Sequence, residues 1–440
     1  MTHPKRREFL KTTGIGAAAL AVSRSVHARS SVNERIRLGL IGPGGMGSHH
    51  LRTLLLRNDV EIAWVCDVDK QRLATAAGKV ESERGRSIQS TGDLRKVLDD
   101  KQVDAVFIAT PDHWHAPAAI LALDAGKHVY VEKPCCHNIH EGGLMTAAVE
   151  RSGKLLQVGT QSRSTDTVAE AMQRLHEGEI GEILVAKAWN SQKRRSIGHS
   201  IPSDPPVHLD FDTWLGPAPV VPYRKNLLPS VWRWWRNFGC GDIGNDGVHD
   251  IDVAAWGMRF DSHPTKVSCH GGKHFFDDDQ EFPDTQYAIF EYPLDGKPNG
   301  RKQQLIFEQR DWSPYTQDGY ENGAVFYGTD GMLIIGHTVG WRLYGPRNKL
   351  IAERTGHTNL QAHHQNFFDC IRGDSTELNA DIHAGHRAAT LVHLANISAG
   401  LDRTLSFDPA REQIIDDEEA APMVRRAYRE GHWSVPQEAV

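Results

Sequence analysis

The chain has 440 residues, 39% of them hydrophobic, and 50 Lys and Arg against 56 Asp and Glu give a formal net charge of −6. Without a basic excess it lacks the electrostatic footprint of a nucleic-acid binder, and beyond residue 30 no apolar run approaches the roughly 20 residues that cross a bilayer. Six cysteines with no C-x-x-C spacing indicate neither a zinc ribbon nor a disulfide scaffold.

At the N-terminus, Lys5, Arg6, Arg7, Phe9, Leu10 and Lys11 precede a small, apolar stretch over 12–22, and Val26, His27 and Ala28 offer a cleavage site. This is the pattern of a twin-arginine leader. Residues 1–30 are therefore read as a signal peptide for the twin-arginine export machinery, which delivers folded protein to the periplasm or beyond. Such a protein would take up a nucleotide in the cytoplasm and hold it tightly through export. The remaining length suits two domains.

Residues 36–41 read as a buried strand, Gly42, Gly44 and Gly47 as a tight G-x-G-x-x-G turn, and 48–57 as an amphipathic helix. In that order Gly42 permits the turn, Gly44 brings the backbone near a pyrophosphate, and Gly47 lets helix pack on strand. Gly45 and Met46 lie where the helix N-terminus turns its free N–H groups toward the anion. A second strand over 60–66 ends at Asp67, 20 residues past Gly47, where a carboxylate accepts hydrogen bonds from the adenosine ribose. That carboxylate favours NAD over NADP, although Lys70 or Arg72 could fold back onto a 2′-phosphate.

The alternation continues as helix 91–98, strand 104–109, helix 115–125, strand 128–131, helix 139–152 and strand 154–158. This predicts an α/β Rossmann domain over 35–158, a parallel sheet with both faces covered. Ligands of such sheets lie beyond the carboxyl ends of the strands. There fall Thr110, Pro111, His113 and His115, and a second loop with Glu132, Lys133 and Pro134. Both loops should face the nicotinamide, with the Lys133 ammonium a candidate proton donor or acceptor. His113 and His115 have no third ligand in view, so no metal is expected.

Over 159–440 the pattern changes to strands at 184–189, 286–292, 303–309, 325–327, 332–335 and 341–344, then helices at 361–372 and 382–401. This predicts an α+β domain with a large open, mostly antiparallel sheet, one face of which can take a substrate or a partner subunit in a homodimer or homotetramer. A Pro- and Trp-rich excursion spans 192–239; a loop of that length is functional or an arm on a neighbour. Trp232, Arg233, Trp234 and Trp235 within it suit stacking on a sugar ring, with a core cluster the equal alternative. Arg163 and Asn190 are further candidate polyol contacts.

These motifs, together with the 241–249 segment and the Gly328 to Gly331 turn, resemble the Gfo/Idh/MocA oxidoreductases, the glucose-fructose oxidoreductase and inositol dehydrogenase family. The resemblance implies that Lys133 hydrogen-bonds the reacting hydroxyl, that the following proline is cis, and that His249 takes the hydroxyl proton while hydride passes to the nicotinamide. Asp252 lies one turn beyond His249. Where inositol dehydrogenase-like members have aspartate this chain has Asn245, so either Lys133 and His249 suffice or Asp246 or Asp242 substitutes. The implied activity is NAD(P)-dependent transfer of hydride between a cofactor and a secondary hydroxyl or ketone of a sugar, cyclitol or derivative. Two alternatives stay open: an NAD-dependent glycoside hydrolase or lyase working by transient oxidation, and a non-catalytic sugar-binding relative.

Overall fold

The structure, a computed structural model, describes residues 35–294, 300–337 and 339–437; the expected leader lies outside the described residues. Six strands form the first sheet: β1 (Ile36–Ile41), β2 (Val60–Cys66), β3 (Gln89–Thr91), β4 (Ala105–Ile108), β5 (His128–Val131) and β6 (Leu156–Val158). They are parallel and ordered β3-β2-β1-β4-β5-β6, the doubly wound dinucleotide-binding topology. β4 is buried at every position, as a strand covered on both faces must be. The helices between them are α1 (Gly45–Leu55), α2 (Lys70–Arg84), α3 (Leu94–Asp99), α4 (His115–Asp124) and α5 (Ile139–Ser152).

The sequence reading gives no strand at Gln89–Thr91 and starts a helix at Thr91. Thr91 ends a strand paired with Cys66, and the helix expected from it starts only at Leu94. Asp93 explains the delay: its carboxylate caps α3 by accepting from the Arg95 N–H, so the helix cannot begin earlier.

After α6 (Asp166–His176) a ten-stranded sheet follows, built from β7 (Ile183–Asn190), β8 (Lys266–Gly272), β9 (Thr285–Pro293), β10 (Lys302–Arg310), β11 (Asn322–Gly328), β12 (Met332–Gly336), β13 (Gly340–Gly345), β14 (Lys349–Thr355), β15 (Leu405–Asp408) and β16 (Gln413–Ile415). Only β7 and β10 pair in parallel. Along β9 the side chains alternate, with Ala288, Phe290 and Tyr292 buried and Tyr287 and Ile289 exposed by 45% and 39%. The buried side faces a core shared with α6, α8 (Val248–Gly257) and α10 (Ile382–Leu401), the short α7 (Phe211–Leu215) lying between α6 and α8 in sequence; the other side is exposed along β9 but covered at Trp189, Val325 and Ile334, which pack with Tyr320. Among the described residues no helix is long and apolar enough to cross a membrane.

Late chain returns to the first sheet. α9 (Leu360–Arg372) buries Phe367 and Phe368 completely beside Phe107 of β4 and Tyr130 of β5, whose rings stack with centroids 4.6 Å apart. Phe367→Ala is therefore expected to destabilise the chain by about 3–5 kcal/mol; urea unfolding would register it as a lower midpoint at unchanged slope.

Candidate active site

A cleft of about 780 Å³ opens at the carboxyl ends of the first sheet. Gly42, Gly44, Gly45 and Met46 form one wall. Gly42 sits at φ +83°, which favours glycine, and a Cβ on Gly47 would stand 2.1 Å from the Gly42 carbonyl oxygen. α1 has no side-chain cap, so its leading N–H groups remain for an anion. Asp67 lines the cleft at the end of β2, and the Asp69 N–H donates to it at 2.8 Å. Burial pushes its carboxyl up to about 6. Arg72 lies across the loop, its Nη1 2.7 Å from where a Gly44 Cβ would be. Lower in the cleft, the Thr110 hydroxyl is buried without a partner. Glycine turn, bare helix end, ribose-site carboxylate and orphaned hydroxyl fit a dinucleotide such as NAD.

The reactive end is built on Glu132 and Lys133. Glu132 is 4% exposed, and its carboxylate accepts from Gln161 Nε2 at 3.0 Å and faces His50 Nε2 at 2.9 Å. Burial alone would raise its pKa; the His50 hydrogen bond and the nearby Lys133 charge hold it down at about 2. His50 Nδ1 in turn lies 2.9 Å from His364 Nε2 of α9. The Lys133–Pro134 peptide is cis, and the Lys133 ammonium donates to the Asn245 carbonyl oxygen across the cleft. Pro111 also lines the cleft, as does His115, whose Nδ1 and Nε2 meet the carbonyls of Pro134 at 2.7 Å and Thr110 at 2.9 Å. His115 thus ties the two loops together.

Facing them, a π-helical turn over 243–247 runs into α8 and brings Asn245, Asp246 and His249 to the cleft wall. Burial first, then the charges of Lys133 and His337, hold the His249 imidazole well below its ordinary pKa, so it is neutral. Its Nδ1 is buried without a partner. His337, whose ring centroid is 5.1 Å from that of His249, points Nδ1 at the Asp250 carboxylate 2.9 Å away; burial opposes its charge, but that carboxylate raises its pKa.

Several of the expected site residues lie elsewhere in the fold. His113 does not line the cleft; it is fully buried against Trp214 and Phe238, with Nε2 2.9 Å from the Trp214 carbonyl. Arg163 is turned away by a two-point ion pair with Asp252 at 2.7 and 2.8 Å, which also removes Asp252 from His249's service. Asn190 is fully buried and donates to Asp242, and Asp242 is itself held by Asn245 and Arg194 outside the cleft. Asp246 does reach the cleft but pairs with Arg194, which together with Lys133 keeps it ionised, at about 2, against its burial. Neither acid is free to replace the missing aspartate. Trp235 points its indole N–H to the Asn226 carbonyl; the cleft takes Trp232 and Arg233 instead.

The excursion over 192–239 closes the nucleotide end. The Lys70 N–H donates to the His208 carbonyl at 2.9 Å and the Asp210 N–H to that of Val68 at 3.0 Å, while Leu209 and Trp214 join the lining. Trp433, near the C-terminus, lines it too. The sequence reading missed Gln161, His208, His337 and Trp433 as cleft or supporting residues. Gln161 had a usable signal, its place just past the carboxyl end of β6.

This geometry defines a dinucleotide-dependent dehydrogenase. An oxidoreductase family described by its NAD-binding Rossmann fold matches residues 36–160, and the C-terminal alpha/beta domain of the same family matches 188–288 and 348–435. The chain belongs to the Gfo/Idh/MocA oxidoreductases, and it is an NAD-dependent enzyme acting on CH–OH groups. It is 24% identical to scyllo-inositol 2-dehydrogenase (NAD(+)) of Bacillus subtilis, over 90% of this chain and 99% of that one. It is 35% identical to levoglucosan dehydrogenase of Pseudarthrobacter phenanthrenivorans over 51% of each chain, and 30% identical to a glycosyl hydrolase family 109 protein of Shewanella pealeana over 42% of this chain and 45% of that one. Among solved structures, levoglucosan dehydrogenase with NADH and levoglucosan shares the fold at TM-score 0.63 and 21% identity, covering 84% of this chain and 99% of that one.

Because Asp67 ionises near 6 before it meets a ribose, its protonation at lower pH should remove the hydrogen-bond acceptor. Calorimetric titration is expected to give an NAD Kd that rises roughly tenfold from pH 7 to pH 5, and Asp67→Asn should flatten that dependence.

Proposed function

We propose that the chain oxidises a secondary hydroxyl of a sugar, cyclitol or derivative, or reduces the corresponding ketone, with Lys133 and His249 managing the hydroxyl proton. The observation that carries this is a lysine ammonium and a neutral histidine on opposite walls of one cleft that also holds a dinucleotide cradle. Bound NAD supplies the acceptor for the two electrons and the carbinol hydrogen. Lys133, steered by the Asn245 carbonyl, hydrogen-bonds the reacting oxygen. The His249 imidazole, held neutral by its burial first and then by the charges of Lys133 and His337, accepts the hydroxyl proton. Trp232 and Arg233 meet the rest of the ring.

The arm clamped over Asp69 and Lys70 supports tight retention of the nucleotide. The paired arginines Arg6 and Arg7 support export through the twin-arginine route to the periplasm, which fractionation of cells expressing the wild-type and an Arg6→Lys, Arg7→Lys chain would test. The open sheet face with Tyr287, Ile289 and Tyr327 suits a dimer or tetramer. Likeness to a glycosyl hydrolase family 109 protein supports, as a second reading, redox-neutral cleavage through transient oxidation.

A screen of polyols and aryl glycosides, followed at the NADH absorbance band and for released aglycone, separates the two. Net reduction without cleavage favours the dehydrogenase; cleavage without net reduction favours the second reading; no bound or bindable NAD sinks both. Lys133→Ala should lower kcat by roughly 10²–10⁴-fold with NAD affinity unchanged, and full turnover in that variant would overturn its role.

A further inference from the structure

Outside the cleft lining, three side chains far apart in sequence converge. His263 lies between α8 and β8, His386 in the first turns of α10, and Glu412 in the turn joining β15 and β16. His386 Nε2 is 2.9 and 3.0 Å from the two Glu412 oxygens, His263 Nε2 is 3.1 Å from one of them, and all three ligand atoms lie within 4.8 Å of one another. The imidazoles are 8% and 5% exposed, whereas the Glu412 side chain keeps 30%, which leaves one side of the cluster open to solvent. None of the three lines the nucleotide cleft.

We propose that His263, His386 and Glu412 bind one divalent transition-metal ion of the zinc type, pinning the β15–β16 hairpin to α10. Two imidazole nitrogens and a carboxylate oxygen are the donor set for zinc and its neighbours, and three protein ligands leave a fourth position, here on the solvent side, for water.

The surroundings are shaped for these side chains. A Cβ on Gly142 of α5 would stand 2.0 Å from His386 Nδ1, and one on Gly143 would be 3.3 Å from a Glu412 oxygen. Glycine inside a helix is less favourable than alanine, and here the two make room for the ligands. Thr390 Oγ1, 3.4 Å from His386 Nδ1, can accept its proton and leave Nε2 as the lone-pair nitrogen, the outer-shell partner expected of a ligating histidine. The sequence reading, which expected no metal, had no spacing to work from, because positions 263, 386 and 412 share no local motif.

Without an ion the same atoms can satisfy one another, the carboxylate accepting from both rings, so the experiment must separate the two states. Full-length protein stripped with chelator is titrated with Zn²⁺ alone, with bound metal measured by plasma mass spectrometry and located in crystals by anomalous scattering. One ion per chain at His263, His386 and Glu412 is expected. Glu412→Gln and His263→Gln should lose it while still binding NAD, and Thr390→Val should weaken it about 10- to 100-fold. Zn²⁺ should also raise the unfolding temperature of the wild type and leave that of Glu412→Gln unmoved. Wild-type uptake no greater than that of Glu412→Gln, or an anomalous peak elsewhere, would overturn the proposal.

Discussion

The reactive end of the cleft depends on one buried charge. Glu132 stands at the end of β5 with almost no solvent, and a carboxylate there is tolerable only if hydrogen bonds and opposite charge replace its water. His50 from α1, Gln161 from the segment after β6 and the Lys133 N–H supply them. Gly159 is part of the same arrangement, since a Cβ there would fall 2.6 Å from a Glu132 oxygen. Lys133 therefore leaves β5 with its direction fixed from behind, and its ammonium crosses to the Asn245 carbonyl on the opposite wall. Removing one partner would leave an uncompensated charge, so these contacts act as a unit rather than singly.

That unit spans much of the chain. Through His50 and His364 it touches α9, which belongs to the last part of the sequence yet packs Phe367 and Phe368 under the first sheet. On the other wall, Asp242 gathers Asn190, Arg194 and Asn245, so the residue that replaces the usual aspartate is itself held by a buried acid. Asn245 loses the proton-relay function and keeps a positional one: its side chain fixes the turn and its backbone carbonyl fixes Lys133.

Five strands of the first sheet were legible in the sequence as apolar runs, with glycine, Asp67 and Lys133 at their carboxyl ends; β3, the polar Gln89–Thr91 at the sheet edge, was not. Lys133 was placed in the cleft for the same reason, whereas His249, in α8, was placed there by the resemblance alone. β14 was not legible, since nearly every one of its side chains is exposed and no alternation marks it. His113 and Arg163 were misplaced because a residue type says what a side chain can contact, not which partner is nearer. For His113 that partner was the Trp214 carbonyl, and for Arg163 it was Asp252, both more than 85 residues away. The supporting histidines His50, His337 and His364 lie on separate elements and meet only in the folded chain.

The excursion over 192–239 joins two ends of the cleft that most loops would serve separately. Its first half is hydrogen-bonded across Val68 and Lys70 where the adenosine half of a dinucleotide lies, and its second half carries Trp232 and Arg233 to the reacting end. One continuous segment therefore lines both ends of the cleft. Because the same segment borders both ends, moving it as one piece would open the nucleotide end and the reacting end of the cleft together.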